Sequence, residues 1–209
     1  MDSSSIEQLS INTIRTLSMD GVQAANSGHP GTPMALAPVT YVLWNEFLRF
    51  DPVQPELPNR DRFVLSCGHA SMLLYSTLHL AGVTPSSPDN DTATRPAISL
   101  EDIRNFRQLD SPCAGHPEHG EVSGIEMTTG PLGQGVATSV GMAIAGNWFA
   151  ARYDRADKTL FGFDTYVICS DGDLMEGIGC EAASLAGHLQ LSNLCWIYDD
   201  NNITIEGEC

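Results

Sequence analysis

Asp171-Gly172-Asp173 and Asp199-Asp200-Asn201-Asn202 are the first residues of this 209-residue sequence whose types and spacing could do chemistry. Each group follows an apolar run, residues 166–170 and 194–198, so each turn is expected just past the carboxyl end of a strand, where α/β sheets bind ligands. A carboxylate from one turn and an amide oxygen from the other could share a hard cation. Mg²⁺ favours an octahedral oxygen shell and takes few protein ligands beside phosphate oxygens, and Ca²⁺ or Mn²⁺ would accept the same donors. Gly172 lets the backbone come close to a phosphate, and the helix expected next would turn its first amides towards the negative charge. Taken singly, each turn is also what ordinarily ends a strand, because Asp and Asn are common turn residues. The pair is what is specific.

Upstream lie three histidines, each preceded by glycine: Ser27-Gly28-His29-Pro30-Gly31, Cys67-Gly68-His69-Ala70-Ser71 and Gly115-His116-Pro117-Glu118. The glycine-rich loop Thr129-Gly130-Pro131-Leu132-Gly133-Gln134-Gly135 follows them. One loop histidine is an ordinary surface or capping residue. Three in this setting point to a common task, since neutral imidazoles exchange protons and hydrogen-bond hydroxyls near neutral pH.

The elements that must position these residues read as an α/β fold, a parallel sheet flanked by helices. Apolar residues at helical spacing predict a helix over 6–26, ended by Asn26-Ser27-Gly28, and a second one with Thr32 as N-cap and Pro33 in its first turn. Residues 62–66 read as a short buried strand, 69–80 as a helix, and 82–98 as a surface loop rich in Pro, Ser, Thr and Asp. Ser99 and Asp102 form a capping-box start to a helix reaching about residue 107, and a long small-residue helix is expected over 136–152. A strand over 166–170, a tight turn over 171–176, a helix over 181–188 and a strand over 194–198 make a βαβ unit, hence a parallel sheet.

Composition limits the partners. The chain carries 26 acidic against 10 basic residues, a net charge of −16, and Lys158 is its one lysine. With no basic cluster to displace counterions, nucleic acid is not an expected partner. A polyanionic ligand would have to be held by backbone N–H groups, helix N-termini or a bound cation. The six cysteines show no CxxC or other metal-ligand spacing, and several sit in apolar runs, so reduced thiols and a cytoplasmic location are expected. Neither a secretory leader nor a run of about 20 apolar residues is present, so no membrane contact is expected.

Asp171-Gly172, with Asn201-Asn202 thirty residues on, resembles the signature of thiamine-diphosphate enzymes, and the histidine motifs with the glycine loop resemble transketolases over essentially the whole chain. The resemblance implies a thiamine-diphosphate-binding fold filling 1–209 and incomplete at its C-terminal end. It implies Mg²⁺ held by Asp171, Asn201 and the Ile203 carbonyl, with Gly172 and Asn201 against the diphosphate. His69 would reach that diphosphate, and Gly130, Pro131 and Leu132 would place backbone groups against the cofactor and its aminopyrimidine. His29 and His116 would line the substrate channel, contact sugar hydroxyls and assist proton transfer. Pyruvate dehydrogenase and related enzymes share the metal signature but lack the GHPG and GHPE motifs. Two departures stand out: Ser170 where the family usually shows Gly, and Cys113-Ala114 where it shows Thr-Pro.

Activity implied by the resemblance is transfer of a two-carbon ketol unit between sugar phosphates, in the pentose phosphate pathway. In the family the glutamate that activates the cofactor and the arginines that grip the substrate phosphate lie beyond residue 209. A homodimer, or a partner chain carrying the pyrimidine-binding domain, is therefore expected. The alternative is a non-catalytic, truncated cofactor-binding or interaction domain.

Overall fold

Among the described residues of the computed structural model, 3–86, 95–204 and 207–208, the chain forms seven α-helices and five β-strands. It divides into two units, Met1–Glu56 with His69–Ile125, and Leu57–Gly68 with Glu126–Cys209.

The first unit is helical. α1 (Ser3–Ala25) packs on α2 (Gly31–Val42) and α3 (Ser71–Ala81), and a short α4 (Leu100–Arg104) closes on α1 and α3. α1 ends as its sequence predicts: Asn26 adopts φ 49°, and the Ser27 N–H reaches back to the Val22 carbonyl at 3.3 Å. α2 starts two residues earlier than expected, with Pro30 rather than Thr32 outside its first turn, because a proline can stand anywhere in that turn without losing a hydrogen bond. Pro38 inside α2 has no N–H to offer the Met34 carbonyl, and the Arg15 Nε of α1 donates to that oxygen at 2.9 Å instead. A π turn over Leu43–Phe47 follows. α3 is buried on every side from Ser71 to Leu78, a stretch with no charged residue. Small residues bring α1 against it: the Ser18 Oγ lies 3.2 Å from the Ser76 Oγ and 3.3 Å from the Met72 carbonyl. The capping box at Ser99 is present, with the Ser99 N–H 2.8 Å from the Asp102 carboxylate and the Asp102 N–H 3.2 Å from the Ser99 Oγ. Part of the expected loop 82–98, residues 87–94, lies outside the described residues.

The second unit holds the sheet. β1 (Arg62–Leu65), β2 (Thr165–Ser170) and β3 (Leu194–Asp199) run parallel in that order, so β2 is central and its residues are almost all buried. α5 (Gln134–Tyr153) packs across all three strands, and α7 (Gly177–His188) packs on α5. Val64, Val136, Val167 and Cys169 form the core between helix and sheet, with Trp196 donating from its indole to the Ser139 Oγ at 3.0 Å. Burial, reinforced by the charges of Asp173 and Asp199, pushes the Cys67 thiol well up and the Cys169 thiol to about 12. Both therefore stay protonated and act as small hydrophobes. The tight turn expected at 171–176 is a one-turn helix, α6 (Asp171–Met175), and α7 begins four residues before its predicted start. Beyond β3 a two-stranded antiparallel ribbon, β4 (Ile203–Thr204) with β5 (Gly207–Glu208), was not anticipated from the sequence. No helix among the described residues is long and apolar enough to cross a membrane.

α5 approaches β1 so closely that a Cβ on Gly135 would stand 2.5 Å from both Cα and Oγ of Ser66, whereas Gly141 on the same helix faces open space. Gly135→Ala should therefore destabilise the chain by about 1–3 kcal/mol through overpacking. Gly141→Ala should stabilise it by about 0.5–1 kcal/mol through helix propensity. Urea denaturation midpoints of the two variants test this, and shifts of the same sign would contradict it.

Candidate functional site

The ends of β2 and β3 build the acidic site of the second unit. Asp171 opens α6 and turns its carboxylate onto the chain leaving β3: Oδ2 accepts from the Asn201 N–H at 3.1 Å and the Asn202 N–H at 3.0 Å. The Tyr198 hydroxyl donates to Oδ1 of the same group. Tyr198 first, then the Asn201 and Asn202 amides, hold the Asp171 carboxyl below the usual aspartate range, against the opposing effect of burial. Asn202 can meet the carboxylate because it sits in the left-handed region at φ 59°, a conformation Asn tolerates. The Asn201 Oδ1 accepts from the Ile203 N–H at 3.1 Å, and its Nδ2 donates to Asp199 at 3.2 Å. Asp171, Asn201 and Ile203 are thus joined through one chain of hydrogen bonds.

Gly172 touches the glycine loop. A Cβ there would stand 2.9 Å from the Leu132 Cδ1, so the two cofactor-facing candidates are neighbours. Gly130, at φ 137°, backs onto Gly68, where a Cβ would meet the Gly130 N at 2.7 Å. Pro131 lies between Gly130 and Leu132, its carbonyl accepting from the Gln134 N–H at 3.4 Å. Gly133 holds φ 81° while packed against Glu176 and Ile178, a place with room for no side chain.

What seats this loop is Asp173, which the sequence presents as a second acidic turn residue and nothing more. It is fully buried and accepts from the Ser66 Oγ at 2.7 Å, the Gly133 N–H at 2.9 Å and the Ser170 N–H at 3.1 Å. Ser66 is itself held by the Val136 N–H at 3.0 Å. Ser170 occupies extended backbone at φ −125°, ψ 176°, so the glycine usual in the family is not needed for the turn. Its hydroxyl adds a contact to Asp173 at 3.4 Å.

The three histidines belong to the first unit, and the structure brings them together. The rings of His29 and His69 meet edge to face with centroids 5.0 Å apart. His29 and His116 both keep much of their surface exposed, yet each has a lowered pKa. Partial burial is the first cause and the Arg107 charge the second, with His29 adding to the effect on His116. The His116 loop is held by its carbonyls. The Arg107 N–H donates to Cys113 O at 2.9 Å, the Tyr75 hydroxyl to Ala114 O at 2.9 Å and His116 O at 3.3 Å, and the Ser71 hydroxyl to Gly115 O at 2.9 Å. These bonds supply the stiffness that Cys113-Ala114, lacking a proline, does not.

A sheet of parallel strands whose carboxyl ends carry an Asp-Gly turn seated on an Asn-Asn turn is the frame of a thiamine-diphosphate-binding domain. The family described as "Transketolase, thiamine diphosphate binding domain" matches residues 6–209. The transketolase of Halalkalibacterium halodurans is 53% identical over 203 residues, covering 97% of this chain and 28% of that protein, and the Kluyveromyces lactis transketolase is 52% identical over 202. Among solved structures, a Pichia stipitis transketolase in complex with sedoheptulose 7-phosphate shares 48% identity at a TM-score of 0.87, with 98% of this chain and 28% of that one covered. The chain belongs to the transketolase family, and it spans about 28% of the length of the curated relatives it matches.

Sequence reasoning did not single out Asp173, Tyr198 or Arg107. The motif Asp-Gly-Asp held the first in plain view, but its partners lie 40 and 107 residues away. Tyr198→Phe removes the first cause of the lowered Asp171 pKa, so in metal-free protein that pKa should rise towards the ordinary aspartate value of about 3.9. A group with a depressed folded pKa stabilises the fold above its unfolded value and loses that contribution as pH falls through the folded one. Acid unfolding of Tyr198→Phe should accordingly begin at higher pH. Carboxyl ¹³C titration checks the shift, and an unchanged Asp171 midpoint would contradict it.

Proposed function

We propose that this chain is the diphosphate- and metal-holding part of a transketolase, serving transfer of a two-carbon ketol unit between sugar phosphates. The observation that carries the reading is the Asp171 carboxylate seated on the Asn201-Asn202 turn, with Gly172 and Leu132 in contact beside it. The donors fit the group: a carboxylate, an amide oxygen and a carbonyl are the hard oxygen ligands that Mg²⁺ takes when phosphate completes its shell. Asp171, the Asn201 Oδ1 and the Ile203 carbonyl would hold the metal. Gly172, Asn201 and His69 would meet the diphosphate, and Gly130, Pro131 and Leu132 the rest of the cofactor. Holding the diphosphate through a cation and backbone suits a chain with 10 basic residues against 26 acidic ones.

When bound, thiamine diphosphate supplies the carbanion-stabilising centre. The chain's own contribution is binding and proton handling. His29 and His116, biased towards neutrality by partial burial and by Arg107, can accept a proton from a sugar hydroxyl and return it near neutral pH. The sugar phosphate in the Pichia stipitis complex supports the substrate class. We assign the chain to a cytoplasmic homodimer, or to an assembly with a chain carrying the pyrimidine-binding domain. The buried, free Cys67, Cys113 and Cys169 suit a reducing compartment.

Calorimetric titration with thiamine diphosphate, with and without Mg²⁺, tests the reading. Binding should require Mg²⁺ and weaken by about tenfold or more in Asp171→Ala, the scale on which metal sites respond to altered ligation. Xylulose 5-phosphate and ribose 5-phosphate should not turn over on these 209 residues alone. Binding indifferent to both Mg²⁺ and Asp171 would overturn the proposal, and Mg²⁺-dependent binding without transfer in the assembled enzyme would favour a non-catalytic binding domain.

A further inference from the structure

Among the described residues, Arg107 is the cation whose charge acts on both exposed histidines, and its geometry is unusual. It follows α4 and sits in the left-handed region at φ 62°, which a long side chain adopts only where its surroundings hold it there. Its backbone N–H donates to the Cys113 carbonyl at 2.9 Å, tying it to the His116 loop. Its side chain turns the other way, and Nη1 donates to the Ser27 Oγ at 2.7 Å, two residues before His29. Between these ends the guanidinium lies over the Phe106 ring, with Cζ 5.4 Å from the ring centroid, and close to Gly115. A Cβ on Gly115 would stand 3.0 Å from Nε and 3.4 Å from Cζ. That Nε is buried with no hydrogen-bond partner among the described residues. An unused buried donor is costly, and it is kept here where it lets the guanidinium lie between two loops.

We propose that Arg107 is a positioning residue that fastens the His29 loop to the His116 loop, with Gly115 preceding His116 because a side chain there would displace the guanidinium. The proposal rests on the reading of His29 and His116 as substrate-facing residues, but its test needs neither cofactor nor substrate. A fixed cation whose charge reaches both imidazoles also opposes their protonation, so the residue that ties their loops biases them towards the proton-accepting form. The other titratable groups acting on them are the His69 ring, edge to face with His29, and His29 itself, which adds to the effect on His116; the Tyr75 hydroxyl of α3 meets the His116 backbone carbonyl, not its ring. Lysine cannot replace this arginine, since an ammonium carries the charge but not the planar fork that spans the two loops.

The experiment is NMR titration of the histidine rings in the full 209-residue chain and in Arg107→Gln and Arg107→Lys, with native-state exchange of the Ser27 amide measured alongside. In the unsubstituted chain both His29 and His116 should titrate below the ordinary histidine value of about 6.5. Both midpoints should rise in Arg107→Gln and remain lowered in Arg107→Lys. The Ser27 amide, whose own bond is to the Val22 carbonyl, should exchange faster by about tenfold or more in both variants, because the charge-assisted bond from Arg107 to the Ser27 Oγ no longer holds that loop. Midpoints unmoved in Arg107→Gln, or Ser27 exchange unmoved in both variants, would overturn the proposal. Ketol transfer by the assembled enzyme separates the two claims: titrations that behave as stated in a protein without transfer would leave the clamp standing and remove the functional reading.

Discussion

A carboxylate with no exposed surface, Asp173, gathers three separate backbone segments of the sheet unit around itself. It takes the Ser66 hydroxyl past the end of β1, the Gly133 amide at the start of α5 and the Ser170 amide at the end of β2. Moving an ionised carboxylate out of water costs several kcal/mol unless fixed donors replace the lost hydration. Here the donors come from the very loops that must be fixed, so the requirement to satisfy the charge becomes the force that orders them. Gly133 then holds the glycine loop where Leu132 reaches Gly172, and Ser170 sets the turn from which Asp171 projects. Asp171 needs that precision, because its own carboxylate must face two consecutive backbone amides thirty residues further along the chain.

The helical unit solves a similar problem with neutral groups. Loops cannot be held by strand ladders, so the carbonyls around His116 are taken one by one, by the hydroxyls of Tyr75 and Ser71 and by the Arg107 amide. Burial pushes the Tyr75 phenol far up, so it remains a hydroxyl donor across the physiological range. Rigid loops presenting solvent-facing histidines are what a proton-exchanging site requires, since geometry has to be in place before pKa matters.

Much of this was legible in the sequence because it depends on local pattern. The βαβ unit follows from apolar runs at fixed spacing, the end of α1 from Asn26, and the start of α4 from Ser99 and Asp102. The Asp171 and Asn201 pairing was legible because two strand-ending turns of a parallel sheet must open on one edge. What escaped was long-range. Asp173 looks like any turn aspartate until Ser66 is folded against it, and Arg107 like any surface arginine until Ser27 and Gly115 close round it. The one-turn helix α6 was hidden by Gly172, which marks a turn in sequence but here sits inside helical backbone. Shifts of two to four residues at helix starts reflect first turns that any small residue or proline can occupy.

The central claim is that one buried carboxylate orders the loops that would hold the diphosphate, and native-state amide exchange in Asp173→Asn tests it most directly. Asparagine keeps the shape but turns an N–H₂ towards at least one of the donors that Asp173 accepts. Gly133 and Ser170 should lose protection together, by about tenfold or more, while Val167 in the middle of β2 keeps its own. Unchanged protection at Gly133 and Ser170 would mean the loops are held by packing alone, and would contradict the account.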